Sequence, residues 1–508
     1  MAIDPVRRRF LARTAAAGLA LPAADLAFLD RLNPVSADEA RLDTSRVQFD
    51  ADIEPLVRLL EETPRERLLE EVAGRIRSGA PYQRVLAALL LAGVRNIAPR
   101  PDVGFKFHGV LVVNSAHLAS IASPDAHRWL PIFWALDYFK DTQAQQQRQR
   151  PWSLPAVRED RVPHADQARG DFVAAMDAWD EDKADASIAA LARSGGAQEI
   201  YELFYRYGAR DFRDIGHKAI YVANSRRTLD CIGWQHAEPV LRSLAYALLQ
   251  HEGENPSRRD GEPDRPWRAN AERAKRMRND WLDGRVDAKA TEAFWEVLRT
   301  GSADDASEKV VELSNAGIAP QALWDALFLA GGELLMRAPG IVPIHALTST
   351  NALHYAWRSS GNDDTRRMLL LQNAAFLPLF REATRSRNKL ADRNLATLEP
   401  QPLEHSGADA VGEIFADVDA APLAAAAKVL SYVDEHTQPT ELIDAARVLI
   451  FLKGTNAHDY KFSSAVLEDY QHVSPRWRAQ FLASSVFNLR GSTEPDNKLV
   501  ARTRAALA

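Results

Sequence analysis

The sequence contains a single cysteine, Cys231. One thiol rules out an intramolecular disulfide, an iron–sulfur cluster, a multi-cysteine zinc site and the paired attachment of a c-type haem. Beyond residue 30 there is no run of about 18 apolar residues, so nothing there is expected to span a bilayer. The formal charge is only −6 and no basic stripe stands out, which argues against a nucleic-acid partner. A glycine-rich phosphate loop, a G-x-S-x-G elbow and an H-E-x-x-H helix are all missing. Their absence argues against a serine hydrolase and a zincin. Strand-like segments alternating with helices are also lacking.

What is present is a chain of 508 residues, 46% of them hydrophobic. That length and composition suit several domains, or one long repeat array, around a large core. At the start, Arg7-Arg8-Arg9-Phe10-Leu11 precedes an apolar stretch over 15–21. This resembles a twin-arginine export signal, and residues 1–30 are set aside from the fold on that basis. The resemblance implies a periplasmic or otherwise extracytoplasmic location. It also implies passage across the membrane in folded form, a route suited to proteins that take up a metal or cofactor in the cytoplasm. A basic amphipathic N-terminal helix is the plainer alternative.

Four stretches of the remaining chain align with one another. Each runs from a turn through an apolar helix to a histidine: 76–108, 192–217, 315–345 and 436–458. The histidines are His108, His217, His345 and His458. The longer middle interval is accounted for by a charged stretch, 252–287, read as an inserted solvated connection. Two copies continue identically as H-x5-N-x2-H: His108, Asn114, His117 and His345, Asn351, His354. In the second copy Asn224 is one residue out of register and Arg227 follows it; in the fourth the pattern has decayed to Ser464 and Leu467. Each copy closes with another apolar helix.

Apolar residues return at intervals of three and four, so the expected class is all-α. Only 110–113, Val-Leu-Val-Val, looks strand-like, and its counterparts in the other copies argue for a buried helix. Pro320 and Pro439 suit helix starts, and Asp363 and Ser474 suit caps. The organisation expected is a signal over 1–30, repeats over 46–150, 165–251, 288–385 and 411–490, the insert over 252–287, a linker over 386–410 and a tail over 491–508. One unit is too small to cover its own apolar face, so neighbours must stack, as an α-solenoid or a closed α/α toroid.

On one straight helix, positions six and nine later turn by about 600° and 900°. His108 and His117 therefore cannot both hold one ion; one histidine of each pair belongs to a site and the other to packing. The candidate metal ligands are His108, His217, His345 and His458, since imidazole is a common ligand for iron, copper and zinc. A second tier is His117, His354, Asn114, Asn224 and Asn351, which would orient the ligands or tie helix to helix. Phe107, Tyr221, Tyr355, Trp357 and Tyr460, with Phe105, are candidates to line a pocket for a flat substrate. Asp102, Asp214, Glu333 and Asp459 are candidate bases or extra ligands.

The third copy carries a family resemblance. Its segment 340–349, Gly-Ile-Val-Pro-Ile-His345-Ala-Leu-Thr-Ser, followed by Asn351-Ala352-Leu353, is similar to the H-A-x-T helix of questin oxidase-like proteins. The stretch 214–217, ending in His217, faintly resembles their other histidine segment. The resemblance covers about a quarter of the chain. It implies a helical fold and oxidative chemistry on small, aromatic molecules. Two functions are carried forward: an exported metal-dependent oxidoreductase or oxygenase, and a non-catalytic helical-repeat binding protein whose histidines are structural.

Overall fold

The computed structural model describes residues 45–100, 107–436 and 439–508. The twin-arginine segment, Asp102 and Phe105 lie outside the described residues. Among those described there are twenty-two α-helices and no β-strand, only two isolated bridges, Arg46 with Pro155 and Arg285 with Ile318.

The first repeat supplies α1 (Glu54–Glu62), α2 (Arg65–Arg77), α3 (Tyr82–Asn96), α4 (His108–Ile121) and α5 (Leu130–Gln149). The second supplies α6 (Ala165–Ala178), α7 (Glu181–Ser194), α8 (Ala197–Gly208), α9 (His217–Ile232) and α10 (Ala237–Leu249). After α11 (Arg265–Arg276) the third supplies α12 (Ala288–Thr300), α13 (Ala303–Asn315), α14 (Pro320–Arg337), α15 (Ile341–Ser359) and α16 (Asp363–Arg385). The fourth supplies α17 (Gly407–Asp417), α18 (Pro422–Glu435), α19 (Thr440–Lys453), α20 (Ala457–Asp469) and α21 (Arg478–Ser485), and α22 (Lys498–Leu507) follows.

Four helices form the centre. α4 packs on α9, α9 on α15, α15 on α20, and α20 back on α4, closing a cycle. Each is the histidine helix of its repeat. Burial explains why α4 is helical despite its β-branched run: Val110, Leu111, Val112 and Val113 are all buried, so they face protein on every side. A helix apolar all round belongs in a core, and tertiary packing there overrides a modest propensity deficit. Each such side chain contributes roughly 1.5–3 kcal/mol on burial. Around the centre lie the preceding and closing helices of each copy: α3 and α5 on α4, α8 and α10 on α9, α14 and α16 on α15, α19 and α21 on α20.

Three expectations are corrected here. The charged stretch 252–287 is not simply solvated: α11 packs on α13 and α16, and Asn270 and Trp281 are fully buried. Asn270 donates to Gln372, and Arg367 donates to the Met277 carbonyl, which ties the stretch down. Within the tail, α22 packs on α2, with Arg502 paired to Glu70. The α16 cap is Asn362, whose side chain accepts from the Thr365 amide, while Asp363 accepts from the Trp281 indole. Ser474 makes no side-chain cap; its amide donates to Asp325.

Candidate metal centre

Each central helix begins at or near its histidine: His108 and His217 are first residues, His458 is second and His345 is fifth. Because all four rings meet, the four N-termini lie at the same end of the central group. His108 Nε2 is 3.1 Å from His217 Nε2, which is 2.8 Å from His345 Nε2. The ring nitrogens of these three lie within 4.8 Å of one another. His458 stands beside them, its ring 4.8 Å from His108 and 5.2 Å from His345, but its nitrogens fall outside the set of three. All four imidazoles are buried.

The approach of α9 to this centre requires unusual backbone. Asp214, Ile215 and Gly216 all have positive φ, at 57°, 45° and 84°. L-residues with side chains rarely adopt that region, and such strain persists only where the surroundings enforce it. Here they do. Buried Asp211 pairs with buried Lys218 at 3.1 Å and accepts from the Arg213 amide, and Arg213 forms a two-pronged bond to Asp264. Clamped on both flanks, the turn delivers His217 to the axis.

Hydrogen-bond arithmetic sets the ring chemistry. His345 Nδ1 lies 2.7 Å from the Ile341 carbonyl and must donate to it, so the neutral ring has a bare lone pair at Nε2. That lone pair meets two neighbours, His217 Nε2 at 2.8 Å and Lys461 Nζ at 3.3 Å. His217 Nε2, with one proton or one lone pair, faces both His345 and His108. One ring proton satisfies only one of these two contacts squarely, whereas a cation taking the three Nε2 lone pairs would satisfy both. Burial holds the imidazoles of His217 and His345 neutral, far below the usual histidine range, with Lys461 adding to the effect. His458 is pushed down to about 4 for the same reasons. Neutral imidazole is the metal-binding form.

Lys461 is the site residue that sequence reasoning missed. It is fully buried, and burial lowers its amine to about 7. It lies three residues after His458, hence within about 60° on the same face of α20. That spacing would have flagged it. The corresponding positions in the other copies are Leu111, Ile220 and Thr348, so a search for recurring residues passes over it.

A small, partly open cavity of about 20 Å³ lies one turn beyond the cluster, reaching it through Lys461 and Thr348. Lys461, Asn114, Asn224, Thr348, Asn351 and Arg227 contribute to its wall, so the three second-tier asparagines come together here. Asn224 donates to the Leu111 carbonyl and Asn114 donates to Asn224. Asn351 donates to Glu468 and Asp469, and Arg227 forks onto Glu468.

The other second-tier histidines lie elsewhere. His117 bonds the Tyr82 hydroxyl at 3.0 Å, and His354 sits among Trp324, Phe328, Trp357 and His472. The expected aromatic pocket is corrected: apart from Phe107 and Tyr221, which touch each other, its members occupy separate packing sites. Phe107 packs edge-on against Tyr221, Tyr460 stacks on Trp134, Tyr355 lies under Arg227, and Trp357 stacks with His354. The reason is geometric. Tyr355 is ten residues beyond His345, about 15 Å further along the helix. Two of the proposed bases are likewise engaged: Glu333 pairs with Arg299, and Asp459 caps α20 and pairs with Arg490.

No family model, curated protein or solved structure matches this chain.

Proposed function

We propose that this chain is a metalloprotein. It would hold one first-row transition ion between His108, His217 and His345 and use it as an oxidoreductase or oxygenase on a small molecule. The observation that carries the reading is the meeting of three buried imidazoles at their Nε2 atoms, at separations of 2.8 and 3.1 Å along the chain of contacts. An ion with bonds of about 2.1 Å in a tetrahedral site separates its ligand nitrogens by about 3.4 Å. Loading would therefore spread the two pairs through His217 by a few tenths of an ångström and draw in the wider His108–His345 pair, whose rings are 6.4 Å apart. Iron, copper and zinc all suit imidazole. Three neutral ligands leave the ion's charge intact, which stabilises a redox metal in its lower oxidation state. The resemblance of the third copy to questin oxidase-like proteins and the resemblance of the N-terminus to a twin-arginine export signal point the same way. The cyclic packing of α4, α9, α15 and α20 favours a closed α/α ring of repeats over an open array.

The test is metal analysis of the purified full chain, with dioxygen uptake measured on the loaded protein. About one transition ion per chain is expected. A protein that takes up no metal, and whose His217→Ala form behaves as the parent in every assay, would sink the reading. The full burial of the cluster favours one other reading, a non-catalytic repeat protein in which the histidines knit four units together. That reading expects His217→Ala to lower stability equally with and without added metal.

A further inference from the structure

We propose that this small cavity is an anion chamber, admitting a two- or three-atom inorganic anion that bridges the histidine-bound metal and Lys461 Nζ. The inference rests on the metal reading above and names the ligand class of that same site.

Four observations carry it. First, Lys461 connects cluster and cavity: its Nζ is 3.3 Å from His345 Nε2, and its side chain lines the cavity. A metal taking the His345 lone pair removes the acceptor that Lys461 now uses. A buried amine without an acceptor is costly, so its donors turn to the cavity. Secondly, Thr348 Oγ1 is buried without a hydrogen-bond partner, and Thr348 also lines the cavity, one turn below His345. Its hydroxyl is a second donor. Asn114 Oδ1 is buried and unpartnered there too, an acceptor for water or for a protonated end of the ligand.

Thirdly, the lining includes the Lys461 amine, the Arg227 guanidinium and no carboxylate. Glu468 neutralises Arg227 at the far end, through bonds of 2.9 Å. The histidine end keeps no such counter-charge in its immediate lining, and the positive ends of four central helices are directed there. A dication held by neutral imidazoles in that field calls for a negative ligand. Fourthly, about 20 Å³ admits only one or two water-sized groups, too little for phosphate, carboxylic acids or quinones.

The experiment loads the full chain with cobalt(II), whose visible bands report coordination, and titrates it with azide, cyanide and, as a size control, inorganic phosphate. Azide and cyanide are expected to shift the bands saturably, and phosphate to leave them unchanged. Lys461→Met, compared with the parent at matched cobalt content, should weaken azide binding by about tenfold, the loss expected when a buried hydrogen-bond donor is removed. Thr348→Val, almost the same shape, should weaken it by roughly threefold; this variant serves if Lys461→Met fails to fold. Cobalt-loaded protein indifferent to both anions overturns the chamber but leaves the metal site. So does azide affinity equal to the parent's in both variants. A chain that takes up no cobalt, zinc, copper or iron overturns the metal reading and the chamber together, and metal content alone tells that case apart.

Discussion

Gly216 abuts Ser349 so closely that a Cβ at 216 would lie 2.6 Å from the Ser349 hydroxyl oxygen and 2.7 Å from its Cβ. The contact joins the turn before His217 to α15, the helix that carries His345. With φ at +84° the position also disfavours any side chain. Gly216→Ala should therefore cost about 1–3 kcal/mol in chemical denaturation, and it should lower metal occupancy by displacing His217. Unchanged stability and occupancy would show that the turn is not what sets the ring.

His217 and His117 provide a matched comparison, one inside the cluster and one bonded to Tyr82. His217→Ala should reduce metal content to a minor fraction of the parent's. His117→Ala should retain full content and lose about 1 kcal/mol of stability with its hydrogen bond. Equal metal loss in both would argue that loading depends on general integrity rather than on these nitrogens.

Acid lability should arise partly from His354. Its ring is buried among aromatics, which holds its pKa well below the usual histidine value; His472, Arg358 and Arg227 add positive charge in the same direction. His117 and His472 are lowered likewise. The unfolded chain takes these protons near pH 6.5 while the folded chain refuses them. The stability concerned is thus intact above that pH and is lost as the pH falls below it. His354→Phe should flatten the decline in urea midpoint between about pH 7 and 5. Parallel curves for parent and variant would contradict this.

Asp469 has the opposite sign. Burial raises its carboxyl well above 3.8, Glu468 adds to this, and the bond from Asn351 and the charge of Arg227 only partly oppose it. A group whose folded pKa is raised contributes stability at low pH that disappears as the pH rises through the folded value. Asp469→Asn should gain on the parent as pH rises from about 4.5 to 8, by up to about 1.4 kcal/mol for each unit of raised pKa. A constant difference between the two would mean that the acid is ionised in the folded chain.

The four histidines were legible because they recur at matching ranks after similar apolar helices, and rank in a repeat translates into position around a centre. The all-helical class was legible from the three-and-four spacing. The aromatic residues misled because closeness in sequence was taken for closeness in space; Trp357 and Tyr355 sit turns away from His345, on side chains engaged by His354 and Arg227. The stretch 252–287 misled because its arginines mask a buried edge of α11, at Pro266, Asn270 and Ala274. Lys461 escaped notice for the converse reason, being peculiar to one copy.

One turn below the histidines, Ile220, Thr348 and Lys461, from three successive helices of the cycle, line the same small cavity. Ile220 is oily, and the adjoining Thr348 and Lys461 carry hydrogen-bond donors. An assembly of four identical subunits could never achieve that, since every residue near its axis would be repeated fourfold. In a single polypeptide each position can differ from its counterparts, and the walls of this cavity are accordingly of unlike character on different sides.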